Sequence, residues 1–191
     1  GLDGGVGPIE IHFIDEVLPG YFWLFPVRDG LVNVGIGMLI SEQRKQKGMK
    51  KSLKKIQEWV IKEHPRFSKR FANAKMLEGS AKGWQLPFGS PRKKAPSYQP
   101  RRNAMAGAMT VGDAASLVDP FSGEGIGNAL LSAKMTSAHF DHVAHAEGFP
   151  ESVAADYMTE LWETLGKELT NSTKLQRMMK WKRLCNLVIG K

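Results

Sequence analysis

With a single cysteine, Cys185, in 191 residues, no disulfide can form within the chain. No apolar run approaches the length of about 20 residues that a helix needs to cross a bilayer, and no secretory leader pattern opens the sequence. These absences point to a reducing cytoplasm. Zinc-finger, helix-turn-helix and RNP spacings are missing too, so the formal charge of +8 is not read as a nucleic-acid footprint. A phosphorylated substrate or the anionic headgroups of a membrane surface match that charge better. Missing, finally, is a strand, a G-x-G-x-x-G turn and a helix, the arrangement that holds a dinucleotide pyrophosphate. The glycines of residues 1–7 have no strand before them and are expected to be a flexible or artificial lead-in.

What is present is a chain with 42% hydrophobic residues, enough to bury the core of one domain or one and a half. Residues 111–129, VGDAASLVDPFSGEGIGNA, organise it. Ala104, Met105, Ala106, Ala108, Met109 and Val111 have the form of a buried strand that stops at Gly112 and Asp113. Asp119, preceding Pro120, is pushed out of helical geometry, and Ser122 is a good N-cap for a helix opening through Gly123, Gly125 and Gly127. An acidic side chain at a strand end then faces a bare-backboned helix start. Free amides and the helix dipole favour an electron-rich ligand edge, and glycine admits a flat ring. Asp113 can accept from sugar or ribityl hydroxyls. The expected guest is a nucleotide-like cofactor.

Around this segment the periods are legible. Ile9, Ile11 and Phe13 alternate with Glu10 and His12 as in a half-buried strand. Strands over residues 21–26 and 31–40 flank the hairpin signal of Asp29 and Gly30. Alternation sends Tyr21, Trp23 and Phe25 to one face and Phe22 and Leu24 to the other. Val32, Val34, Ile36, Met38 and Ile40 share one side, while Asn33, Gly35 and Gly37 leave room on the opposite side for a backbone or ligand. Residues 44–55 read as a basic, solvated helix face; Leu53, Ile56, Trp59 and Val60 continue at helical spacing until Pro65, and a short helix is expected over 67–74.

Residues 83–89 look like a strand carrying Trp84, followed over 90–102 by a basic, proline-punctuated loop with Arg101 and Arg102 at its end. A helix is expected over 127–146, a second over 151–169, and a basic amphipathic stretch over 174–191 that docks on the protein or lies on an anionic membrane. His139, His142 and His145, with Asp141, raise a metal reading. Their spacing drifts round a helix and no cysteine or second carboxylate joins them, so no metal is expected.

Gly112, Asp113, Ala114 and Ala115, then Pro120, then Gly123, Glu124, Gly125, Ile126, Gly127, Asn128 and Ala129 resemble the second FAD-binding motif of flavoproteins related to p-hydroxybenzoate hydroxylase. Tyr21, Phe22, Trp23, Leu24, Phe25 and Pro26, with Gly35, Ile36 and Gly37 after a spacer, are similar to the Y-x-W-x-F-P and G-x-G pattern of the geranylgeranyl reductase family. The resemblance implies an α+β fold: an antiparallel substrate-domain sheet with a covering helix (residues 1–100), the strand, loop and helix of an FAD-binding domain (101–147) and C-terminal helices (148–191). It implies FAD as cofactor of a longer protein, of which this chain is the C-terminal part, weak in flavin binding without its dinucleotide-binding half.

Asp113 would hold the ribityl chain, with Gly112, Pro120, Gly123, Gly125, Ile126 and Gly127 around the flavin. Tyr21, Trp23, Phe25, Gly35, Gly37 and Trp84 would line the path of a prenyl substrate, and Tyr21 is the first candidate proton donor. The implied reaction is reduction of prenyl double bonds. The alternatives are a flavin hydroxylase or halogenase of the same fold and a non-catalytic lipid-binding or docking module. The implied location is cytoplasmic, with peripheral membrane contact left open.

Overall fold

The structure, a computed structural model, describes residues 7–48, 52–90, 101–143, 149–181 and 186–187. The expectations for residues 1–6, 91–100 and 144–148, including His145, and for most of 182–191 lie outside them. The architecture is α+β, with small antiparallel sheets and packed helices. Two compact units are present: Gly1–Lys82 with Met179–Asn186, and Gly83–Met178 with Leu187–Lys191.

Unit 1 is built on an antiparallel meander of β1 (Glu10–His12), β2 (Tyr21–Pro26) and β3 (Val32–Gly37). The β2–β3 turn passes through Asp29 and Gly30, both at positive φ, as an Asp-Gly hairpin requires. Pairing of Phe22 with Ile36 and Leu24 with Val34 collects the apolar alternates on one face. Helix α1 is a single turn, Ile40–Gln43; α2 (Leu53–Lys62) begins at Ser52, whose hydroxyl accepts from the Lys55 amide, and buries Ile56 and Val60. The core between sheet and helix holds Phe22, Leu24, Ile36, Ile56, Val60, Phe67 and Phe71. The short helix expected over 67–74 is instead a chain of turns. Phe67 and Phe71 still reach the core, because hydrogen bonds from the Phe67 amide to the His64 carbonyl and from the Arg70 amide to the Phe67 carbonyl close one turn at a time after Pro65.

One polar cluster ties this turn segment to β1. Arg70 grips the Glu10 carboxylate with both guanidinium nitrogens, at 2.8 and 2.7 Å, and His12 Nε2 lies 2.9 Å from the same carboxylate. The Arg70 hydrogen bonds hold the Glu10 carboxyl down at about 2, against the cost of its burial. Burial beside the Phe22 and Phe67 rings pushes His12 below its ordinary value, partly offset by Glu10.

Unit 2 contains β4 (Ala104–Met105), β5 (Ala108–Met109), a 3-10 turn (Gly112–Ala115), α3 (Ile126–Val143) and α4 (Glu151–Met178). The continuous buried strand expected before Gly112 is not formed. Gly107, at positive φ, folds the segment into a two-stranded hairpin in which Ala104 is buried and Met105 exposed. A strand buried on both faces needs neighbours, and among the described residues the hairpin has only its own two arms. Residues 83–89 likewise form no strand; Phe88 makes one parallel bridge to Val118, and the Gly89 amide donates to the Val118 carbonyl. Helices α3 and α4 enclose a core of Ala115, Leu117, Met135, Tyr157, Leu161, Leu165 and Leu169. The Tyr157 hydroxyl donates to the Thr110 carbonyl, and His139 lies 2.8 Å from the Glu160 carboxylate. No described helix is long and apolar enough to cross a membrane.

Unit 1 should weaken in acid in two stages. Both His12 and Glu10 have lowered folded values, so the unfolded chain binds more protons in both windows and stability rises with pH through each. Stability should fall below 6.5 as unfolded His12 is protonated, and again between 4.5 and about 2 as Glu10 is protonated. Urea midpoints measured across these windows check this. Glu10→Gln should cost about 1–2 kcal/mol at neutral pH and abolish the lower stage.

Candidate functional site

In unit 2 the Gly112–Ala115 turn and the entrance of α3 enclose a pocket of about 280 Å³ lined by Leu86, Asp113, Val118, Gly123, Gly125, Ile126 and Ala129. Four of the residues anticipated around a cofactor, Asp113, Gly123, Gly125 and Ile126, therefore meet. A methyl at Gly125 would lie 3.0 Å from Asp113 Oδ1 and 3.3 Å from Val118 Cγ2, so the carboxylate stands against bare backbone. Gly112, at a φ of +53°, is buried, and a Cβ there would come within 2.9 Å of Ala129 Cβ. Gly123 also has positive φ. Pro120 is fully buried, and its carbonyl accepts from Gln176 Nε2; it supports the loop without lining the pocket.

The helix opens later than Ser122, at Ile126: the Asp119 carboxylate takes the amides that precede it, and the Glu124 carboxylate caps its first turn. Asp119 Oδ1 accepts from the Phe121 and Ser122 amides and the Ser122 hydroxyl, and Glu124 Oε1 accepts from the Gly127 amide at 2.7 Å. Burial alone would raise Asp119, but hydrogen bonds from the Ser122 amide, Ser172, the Ser122 hydroxyl and the Phe121 amide outweigh it and keep the carboxyl low. The first amides of an α-helix have no intrahelical acceptor. Gly127 spends its amide on Glu124, whereas those of Gly125 and Ile126 open the helix at the pocket rim, where Ile126 is 75% exposed.

Three polar side chains fix the turn carrying Asp113; of these only Asn128 stands out in the sequence, as a motif residue without a role. Ser132 Oγ, fully buried on α3, accepts from the Gly112 amide at 3.0 Å and donates to the Ala129 carbonyl. Asn103 Nδ2 donates to the Ala115 carbonyl at 2.8 Å, and Asn128 Nδ2 to the Leu117 carbonyl at 2.7 Å. Their signal in the sequence is faint: a lone Ser or Asn in an apolar stretch becomes informative only once a backbone group is known to face it.

The second anticipated group, in unit 1, forms the outer face of the sheet. Tyr21, Trp23 and Phe25 are half-buried and make a ladder with ring centroids 5.8 and 6.0 Å apart. Gly35 lies under the Trp23 indole so closely that a Cβ would fall 1.9 Å from Cζ2; one at Gly37 would sit 3.7 Å from Cζ3. The indole nitrogen donates to Asn33 Oδ1 at 2.8 Å, so this donor is already committed within the sheet. Trp84 joins neither group: it is 91% exposed, and its neighbour Leu86 is the residue of that segment that lines the pocket. Without a strand over 83–89, alternation does not aim Trp84 anywhere.

The residues around Asp113 fit one end of a flavin nucleotide: an acceptor-only carboxylate for hydroxyls, helix-entrance amides for an electron-rich edge, and no Cβ where a flat ring would lie. The volume is that of a ring-sized subsite, below the usual range for a complete ligand.

The fold is matched over 96% of the chain by a crystal structure of a geranylgeranyl bacteriochlorophyll reductase-like protein from Thermoplasma acidophilum, with a TM-score of 0.71, 23% identity and coverage of 43% of that chain. It is an α+β fold shared with a reductase-like protein. Residues 7–78 match the family described as geranylgeranyl reductase catalytic domain. A digeranylgeranylglycerophospholipid reductase of Picrophilus torridus is 32% identical over 138 residues, 72% of this chain and 30% of that protein. One from Methanosarcina acetivorans is 29% identical over 165 residues, covering 85% and 36%. A menaquinone reductase of Mycolicibacterium smegmatis is 29% identical over 158 residues, covering 80% and 31%. The chain thus spans about a third of the length of these relatives.

Two substitutions probe this geometry. Ser132→Ala leaves the buried Gly112 amide without an acceptor and should cost about 1–3 kcal/mol, with amide exchange at Gly112 accelerated before global unfolding. Gly35→Ala drives a methyl into the Trp23 ring; it should cost about 1–3 kcal/mol and break the Trp23 indole bond to Asn33, seen as a shift of that indole proton by NMR.

Proposed function

We propose that this chain is part of an FAD-dependent reductase that saturates carbon-carbon double bonds of a prenyl chain carried on a lipid-like substrate. The observation that carries the reading is the Asp113 carboxylate set against the Gly125 backbone in a ring-sized pocket at a helix entrance. The match of residues 7–78 to the geranylgeranyl reductase catalytic domain family, and similarity to relatives named as reductases of digeranylgeranylglycerophospholipid and of menaquinone, support the chemistry.

When bound, the flavin would supply the hydride. This chain's residues hold and orient. Asp113 accepts from ribityl hydroxyls, the Gly125 and Ile126 amides donate to the electron-rich ring edge, and Gly123 and Gly125 allow the ring to lie on backbone. Ser132, Asn103 and Asn128 keep the Asp113 turn in place. On unit 1 the Tyr21, Trp23 and Phe25 ladder offers an apolar wall to the prenyl chain, and Gly35 and Gly37 keep that wall low. On that wall the Tyr21 hydroxyl is the phenolic proton source to test first. Exposed Trp181 beside a basic tail supports peripheral contact with an anionic membrane surface.

The test is anaerobic incubation of the full-length protein with reduced flavin and a geranylgeranyl lipid, read by mass spectrometry. A gain of two hydrogens per double bond is expected. Product carrying oxygen or halogen would replace the reading with a hydroxylase or halogenase, and vesicle binding without flavin binding would replace it with a docking module. Gly125→Ala and Asp113→Ala should each lower bound FAD in the full-length protein by about tenfold or more. The 191-residue chain by itself should take up FAD weakly or not at all, checked by flavin absorbance after desalting.

A further inference from the structure

Unit 2 has a second concavity, larger than the Asp113 pocket and sharing none of its residues: an open groove of about 890 Å³ along α4. Its floor follows helical steps of three and four through Ala155, Met158, Trp162, Gly166, Thr170 and Lys174, a single stripe about 28 Å long. Gly166, without a side chain, keeps the middle of the floor low. Arg101 and Arg102 also line it, and with Lys167 and Lys174 they set four cations against one carboxylate, Glu163.

These charges are poorly compensated. Arg102 reaches Glu151 at 3.0 Å, but Lys167 and Lys174 form no ion pair among the described residues. The Arg101 guanidinium is under-satisfied: Nε is buried without an acceptor, and Nη2 makes only long contacts of 3.4 and 3.5 Å to the Phe88 and Ser90 carbonyls. Elsewhere the part-buried Arg70 is committed to Glu10, and the exposed Lys45 and Lys180 both pair with Glu42. A groove that keeps three cations without a counter-charge, beside apolar Met158 and Trp162, favours an anion with an apolar portion.

We propose that this groove binds a phosphate-bearing ligand, a phosphate ester or diphosphate, with its anionic group among Arg101, Arg102 and Lys167 and its apolar part against Met158 and Trp162. The inference does not rest on the flavin reading. The same chemistry could come from a free phosphorylated compound or from a lipid headgroup, and two probes separate them.

The 191-residue chain is titrated with inorganic pyrophosphate, followed through the Trp162 indole signal by NMR, and is sedimented with phosphatidylcholine vesicles with and without phosphatidic acid. Pyrophosphate should produce a saturable shift, with Kd raised about tenfold in Lys167→Gln/Lys174→Gln and lowered in Glu163→Gln. Binding only to phosphatidic acid vesicles, with the same dependence on these variants, also supports the proposal and makes the ligand a lipid headgroup. The exposed pair Lys54→Gln/Lys55→Gln on α2 serves as the charge control. The proposal is overturned if neither probe binds, if binding is unchanged in the α4 variants, or if the control weakens it as much.

Discussion

A missing Cβ sets the position of the chemically most useful side chains in both units. Trp23 lies where Gly35 has no side chain, and Asp113 lies where Gly125 has none; a single methyl at either glycine would meet the occupant at 1.9 or 3.0 Å. The same device closes other joints: Ala129 fits against Gly112, Leu169 against Gly89, and the Gly37 carbonyl against Gly20. At Gly35 and Gly20 the approach is too close for a small shift to relax it, whereas at Gly125 the Asp113 carboxylate would have to give by a few tenths of an ångström. The glycines therefore act as shape-setting residues, and what they shape is an aromatic sheet face in unit 1 and a carboxylate-lined pocket in unit 2.

Close approach alone would leave backbone groups stranded, and unit 2 answers this with side chains. The chain from Asn103 to Leu117 turns back, forms one 3-10 turn and passes through Ser116 at positive φ, so few of its amides and carbonyls can join a ladder. Ser132, Asn103 and Asn128 take the Gly112 amide and the Ala115 and Leu117 carbonyls, and Tyr157 takes the Thr110 carbonyl. Burial raises the Tyr157 phenol above its ordinary value, which keeps it a donor at any ordinary pH.

Local patterns in the sequence translated well because their causes are local. Alternation along residues 21–26 put Phe22 and Leu24 inside and Tyr21, Trp23 and Phe25 outside, and Asp29 with Gly30 made the hairpin. The 3- and 4-residue recurrence of Leu53, Ile56 and Val60 gave α2. The misreadings share a non-local cause. Residues 104–111 are apolar enough for a central strand, but a strand exists only with partners, and here the segment pairs with itself. Ser122 has the chemistry of an N-cap, yet Asp119 captures its amide and hydroxyl, so the helix waits until Ile126. The resemblance and the strand expected over residues 83–89 place Trp84 along the substrate path; with no strand to orient it, it is solvent-facing. The pocket was legible as a juxtaposition of Asp113 with Gly123 and Gly125, whereas the hidden bonds of Ser132 and Asn103 depend on atoms brought together by the fold.

Glu124 gives the pocket a polarity that neither glycine nor helix dipole would provide alone. By accepting the Gly127 amide it places a carboxylate inside the first turn of α3 and offsets part of the positive end of the helix. A general anion site would be weakened by that arrangement. What remains is divided: Asp113 accepts, the Gly125 and Ile126 amides donate, and no full positive charge lines the space between them. A ligand matched to this set is neutral there, with hydroxyls for the carboxylate and carbonyl-like oxygens or ring nitrogens for the amides. That combination suits the junction of a polyol chain with a heterocycle better than it suits a phosphate, whose charge is better met by the cationic groove on α4. On these two proposals unit 2 would separate two kinds of recognition, hydrogen bonding to a neutral ring end in the small pocket and charge in the large groove.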